Sequence, residues 1–471
     1  MDPKYQRLTT DSGSYRKKFL VGFGFAGAIS SMLFIAIVPR VLIIGALLCV
    51  VGVTCLGSSF VILNSFIPVL VANHPLVNDG EHQDTSRRSS IPLESFSPGL
   101  RRRESADHDR QHMIAHVPGA NIPDSSELKL STKISARGVG IGYVAAVFVQ
   151  ILSILLLYIM SKTSVSSTLP LRLVLLMVGL WWFAFTIPSF MWLRHRPGPP
   201  LRAISGGGNL RSCLTYTSFA WGSLWKTIKV AAKLRQVVIF LIAWFLLSDA
   251  IATIGSTAIL FARTELRMGT VAIALLSITA TSSGIAGAFT WPVLSRRYAL
   301  KTNRTIVACI VMMEIVPIYG LIGYIPFVKA WGVGGLQKSW EIYPLGFVHG
   351  FVMGGISSYC RSFFGRLIPP GSETAFYALM AITDKGSSAV GPTIVGLIVD
   401  AAGTIRPAFF FLAVLVALPA PLMWMVNADK GQEDAVRMAS LLKKTGADED
   451  ELDDRADAGF QEAEGLMRDH D

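Results

Sequence analysis

The chain has 471 residues, 51% of them hydrophobic and 16% charged, with a mean hydropathy of +0.48 and a formal net charge of +11. That apolar content exceeds what one soluble core can bury, so lipid must solvate much of the chain and a soluble globular enzyme is excluded. The cations lie in the connections between apolar runs, where the positive-inside rule accounts for them without nucleic-acid binding.

A helix rising about 1.5 Å per residue needs about 20 apolar residues to cross a hydrocarbon core of about 30 Å. Runs of that kind predict ten spans, over residues 19–38, 41–66, 138–160, 169–193, 237–262, 270–294, 305–327, 343–359, 376–399 and 407–426. In chain order, 1–18 is a hydrophilic N-terminus and 19–72 holds the first two spans. Residues 73–137, rich in Ser, Asp, His and Arg, read as a disordered loop. Residues 138–193 hold the next two spans. A central loop, 194–236, carries Gly206-Gly207-Gly208 and a basic amphipathic stretch at 224–235 suited to an anionic membrane surface. Six spans follow within 237–426, and 427–471 is an acidic tail expected to be solvated. The expected fold class is thus an all-α membrane protein of about ten transmembrane helices, four plus six. Lys and Arg concentrate before the first span and after the second, fourth and sixth, which places both termini in the cytoplasm.

An ionisable side chain at mid-membrane costs on the order of 2.5 to 3.5 kcal/mol on insertion scales, so each one calls for a partner, a wet cavity or a function. Asp249 lies in the fifth predicted span with Thr253 and Ser256 at i+4 and i+7, a polar stripe expected to face the bundle interior. Asp384 and Lys385 lie in the ninth, with Ser388 on a face shared with both. Adjacent residues point about 100° apart, so Asp384 and Lys385 are not expected to pair with each other. The expected cross-helix pair is Asp249 with Lys385, either in a pathway or as a fixed structural ion pair. His349, in the eighth span, reads as a proton relay or as a hydrogen-bonded packing histidine. Gly346, Gly350 and Gly354 recur every four residues beside it and permit close helix approach. Glu314, in the seventh span, is expected to make a structural hydrogen bond.

Other patterns mostly exclude. The turn from Trp291 to Tyr298, after Gly284 and Gly287, resembles the gating motif of the major facilitator superfamily through Arg296 and Arg297, though without its usual acidic residue; positive-inside charge alone is the alternative. The five cysteines are scattered with no CxxC spacing, and His108, His112 and His116 have metal-ligand spacing in a polar loop, so no metal site is expected. No P-loop or GxSxG elbow is present, and no cofactor and no enzymatic activity are expected.

Three stretches, WFLLSDAIATIGSTAILFARTEL from Trp244, RSFFGRLIPPGSETAFYALMAITDKGSSAVGPTIVGLIVDAAGTIRPAFFF from Arg361 and SSFVILNSFIPVLVANHP from Ser58, resemble the fungal autophagy-related vacuolar amino-acid effluxers, a branch of the major facilitator superfamily. The resemblance implies a major-facilitator-like bundle in the vacuole membrane that exports amino acids, such as leucine and other neutral ones, to the cytosol during nitrogen starvation. It also implies an amino-acid substrate and a lipid bilayer as partners, and the polar stripe at Asp249 in such a compartment makes proton coupling a further expectation. Members of that family have about twelve spans, so this chain is expected to lack the first two. A carrier of another small solute and a non-transporting membrane scaffold remain the alternatives.

Overall fold

The computed structural model describes residues 13–38, 41–72, 126–162, 168–193 and 209–442. Among them every regular element is helical. The first four long helices are α1 (Gly13–Leu33), α2 (Leu42–Ala72), α3 (Ser126–Ser161) and α4 (Leu169–Trp192). After α5 (Asn209–Lys233) come α6 (Arg235–Thr264), α7 (Thr270–Arg297), α8 (Thr302–Met313), α9 (Ile315–Ile322), α10 (Pro326–Trp331) and α11 (Ile342–Leu367). The last are α12 (Glu373–Ser387), α13 (Val390–Ala402), α14 (Ala408–Ala417), α15 (Pro419–Met425) and α16 (428–442).

Eight segments are long and apolar enough to cross a membrane, with α8–α9 and α14–α15 each counting as one. The other two of the ten expected spans are α11 and the broken pair α12–α13. At 26 residues, about 39 Å, α11 has the length, while His349, Arg361 and Arg366 lower its apolar content.

A proline, which supplies no N–H to the carbonyl four residues earlier, lies just beyond each of the three interruptions. Pro317 leaves the Met313 carbonyl free at the α8–α9 break, Pro392 the Ser388 carbonyl at the α12–α13 break, and Pro421 the Ala417 carbonyl at the α14–α15 break.

Three expectations from the sequence shift here. Helix α3 begins at Ser126, inside the stretch read as a loop to 137; residues 73–125, with His108, His112 and His116, lie outside the described residues. The basic stretch at 224–235 belongs to the longer α5, which docks on α6 and α12 through buried Thr227 and Ala231 and leaves Trp221 and Trp225 exposed. The tail opens with α16, whose Ala435 is buried and whose Asp429 pairs with Arg366 at 2.9 Å. Polar composition conceals these helices because their apolar faces are narrow; residues 443–471 are outside the described residues.

Helices α2 and α4 each pack on α1, with α3 against α2 and α4. Helices α6 to α15 form the second half around α6 and α11, where Phe240 lies 5.9 Å from Phe363 and 5.0 Å from Phe364. The halves meet where α3 packs on α7 and α11 and where α2 packs on α11 and α12. Large side chains such as Ile43 and Trp192, each 80% exposed, turn outward as a lipid-solvated surface requires. Gly346, Gly350 and Gly354 do bring α11 against α7: a Cβ on Gly350 would strike the Ala280 carbonyl, and one on Gly354 the Gly284 carbonyl.

Candidate transport pathway

Asp249 is 3% exposed on α6, and its neighbour Ser248 is also buried. Together they grip the broken helix on both sides of its gap. The Gly391 N–H, at the second residue of α13, donates to Asp249 Oδ1 at 2.9 Å. On the other side, the Ser248 hydroxyl donates to the Asp384 carboxylate and, at 3.2 Å, to the Asp384 carbonyl. The first N–H groups of any helix lack intrahelical acceptors and carry a partial positive charge, so a carboxylate delivered there by another helix both caps and neutralises. Gly391 has to be glycine for this approach, because a Cβ would collide with Thr253 Oγ1 and stand 2.9 Å from Asp249 Oδ1.

The predicted Asp249–Lys385 pair is not made. Lys385 Nζ lies 3.0 Å from Asp384 Oδ2, and its side chain is 77% exposed. Two backbone directions 100° apart do not keep these neighbours from pairing, because four methylenes let the ammonium fold back and the helix ends two residues later. Ser388 sits in the gap itself, its hydroxyl bonded to the Lys385 carbonyl.

The polar stripe on α6 is turned from its expected register. Thr253 is buried, but Ser256 is exposed and bonds the Thr253 carbonyl, while Thr257 is buried at 2%. At about 100° per residue Ser256 falls about 20° beyond Asp249 on the side away from Thr253, whereas the buried arc runs the other way through Thr253, Thr257 and Ile254.

His349 points Nδ1 into a sealed position with no hydrogen bond among the described residues. The bond expected for Glu314 is also not made: its Oε2 is sealed and unbonded among the described residues, at the α8–α9 break. Arg296 and Arg297 are exposed in the last turn of α7, where cations favourably meet the negative helix end; Arg296 Nε bonds the Pro292 carbonyl.

Several polar residues that the sequence did not single out join the halves. Thr132 of α3 and Ser362 of α11 are 3.0 Å apart, and Gln150 of α3 donates to Thr281 of α7 at 3.1 Å. Arg361 of α11 donates from Nη1 to Asn64 of α2 at 3.2 Å. Arg361 escaped notice because the eighth span was ended at residue 359; the apolar Phe363-Phe364 beyond it was the available signal that the helix continues. At the opposite end of the bundle, buried Glu341 accepts backbone N–H bonds from Gly334, Leu336, Gln337 and Lys338 and the Tyr319 hydroxyl.

A bundle of two helical groups, joined by polar side chains and containing a broken helix held by a buried carboxylate, is an arrangement common to secondary carriers. The sequence profile described as "Vacuole effluxer Atg22 like" matches residues 9–436. The chain belongs to the Atg22-like vacuole effluxer family. It is 63% identical over 464 residues to Autophagy-related protein 22-1 of Sclerotinia sclerotiorum, covering 98% of this chain and 77% of that one. It is 58% identical over 461 residues to Autophagy-related protein 22-1 of Aspergillus clavatus, covering 96% and 75%. Among solved structures it is similar to a bacterial homologue of the iron transporter ferroportin in an outward-facing state, with TM-score 0.48 and 14% identity over 90% of this chain and 84% of that one. Family membership makes the chain a multi-pass membrane transporter, in keeping with the resemblance read from the sequence.

Proposed function

We propose that this chain exports neutral amino acids, leucine among them, from the vacuole to the cytosol when autophagy supplies them during nitrogen starvation. Membership in the vacuole effluxer family supports the compartment and the direction. The distribution of Lys and Arg supports an orientation with both termini, and so the end of the bundle carrying Arg16, Arg296, Arg297 and Arg366, in the cytoplasm.

The observation that carries the mechanism is the grip of Ser248 and Asp249 on the α12–α13 break. Alternating access rocks α1–α4 against α6–α15, and the gap lets α12 and α13 move separately. Proton coupling enters through Asp249: as the anion it caps α13, and protonation weakens that charge-assisted bond and frees the half-helix. His349 and Lys385 border the same second half as further candidates, and Arg296 and Arg297 lie where a cytoplasmic gate would close.

Liposomes loaded with radiolabelled leucine and tyrosine, carrying the full chain and an imposed proton gradient, test the reading. Saturable efflux that rises with the gradient is expected, and Asp249→Asn should flatten the pH dependence. Efflux unchanged by Asp249→Asn at every pH removes Asp249 from coupling, and no efflux of any amino acid removes the substrate assignment.

A further inference from the structure

Within the amino-acid reading, on which this inference rests, we propose that Arg361 holds the α-carboxylate of the transported amino acid. Arg361 lies six residues before the end of α11, between the two halves of the bundle. Its Nε donates to the Ser357 carbonyl at 2.8 Å and its Nη1 to Asn64 Oδ1 at 3.2 Å. The guanidinium lies 6.0 Å from the Phe60 ring, and the Tyr377 hydroxyl of α12 fixes its backbone by donating to the Arg361 carbonyl at 2.8 Å.

Every one of these partners is neutral. Among the described residues Arg361 makes no ion pair, whereas Arg16, Arg366 and Lys385 each make one. A cation placed among membrane helices without a counter-charge is costly, and a purely structural arginine would be expected to bring a carboxylate with it. The guanidinium has five N–H donors, and the two bonds named leave three unused. Two of these are on Nη2, which makes no hydrogen bond among the described residues and is not among the sealed polar atoms. A planar fork with free donors on its outer edge matches a carboxylate.

The surroundings suit the rest of an amino acid. Phe60 is 52% exposed beside the guanidinium and offers an apolar surface to a side chain. Gly57, two helical turns from Asn64 on the same face of α2, borders open space where a Cβ would stand. Because Asn64 and Phe60 belong to one half and Arg361 and Ser357 to the other, a solute bound here contacts both moving parts, as a carried substrate must.

The test uses full-length protein in liposomes with radiolabelled leucine, competed by leucine, leucinol and isoamylamine, the last two lacking the carboxylate. Leucine should compete at least tenfold better than either analogue. Arg361→Lys, which keeps the charge but not the fork, should raise KM about tenfold with a smaller change in maximal rate, and Arg361→Gln should abolish saturable flux in protein that still elutes as a single species. Equal competition by leucine and leucinol, or unchanged KM in both variants, overturns the assignment. A thermal-shift titration of detergent-solubilised protein separates this from the amino-acid reading. Stabilisation by leucine over leucinol that disappears in Arg361→Lys supports the carboxylate contact even if flux is absent. Equal stabilisation by the two ligands rejects the contact even if leucine is transported.

Discussion

Arg16 at the start of α1 and Glu373 at the start of α12 face each other at 3.5 Å, across the boundary between the halves and at the basic end of the bundle. Their side chains are only 8% and 14% exposed, so the pair is shielded enough to count. Contacts of this kind close one end of a two-half carrier while the other is open. Arg16→Gln and Glu373→Gln should each open the basic end, read as faster maleimide labelling of a cysteine placed at Ser362. The charge exchange Arg16→Glu with Glu373→Arg should recover part of the loss, with a coupling of about 0.5 to 3 kcal/mol. Strictly additive effects would show that the pair closes nothing.

Asp249 serves the α13 terminus whether or not it also handles protons. Asp249→Ala leaves the Gly391 N–H buried without an acceptor and should cost about 1 to 3 kcal/mol, seen as a lower melting temperature in detergent. Asp249→Asn keeps an acceptor oxygen and should lose less than half of that. If alanine melts no lower than asparagine, the cap contributes nothing to stability.

The contact of α7 with α11 has no room for a side chain at Gly350, whose Cβ would run into the Ala280 carbonyl. Backbone cannot swing aside as a side chain can, so Gly350→Val should destabilise by more than the about 1 to 3 kcal/mol usual for overpacking and lower the yield of monodisperse protein. Gly396, with open space where a Cβ would stand, is the matched control: Gly396→Ala should leave yield unchanged.

Glu341 gathers four backbone N–H groups and one hydroxyl into a carboxylate that is 1% exposed. It holds a loop in which Leu336 adopts a φ of +62°, a conformation costly for a leucine. Bonds to a charged group contribute about 1.5 to 3 kcal/mol each, so Glu341→Ala should cost at least about 3 kcal/mol, and Glu341→Gln, which keeps two polar atoms but not the charge, an intermediate amount. Proteolysis of the 332–341 loop under native conditions would report it; equal protection in all three proteins would show that the carboxylate does not order the loop.

The sequence by itself determined the all-helical class, the approximate number and order of the spans, the basic end of the bundle, the inward face of Asp249 and Thr253, and the close approach at Gly350. Each follows from transfer energy and helical period, which act within a single segment. The tertiary structure alone decided that Lys385 folds back on Asp384 while Asp249 caps α13, that Ser256 falls outside the buried arc while Thr257 lies inside it, and that Arg361 meets Asn64 nearly three hundred residues away. Partner choice depends on which helices lie side by side at the same depth and how each is rotated, and a periodicity read along one segment carries no information about its neighbour.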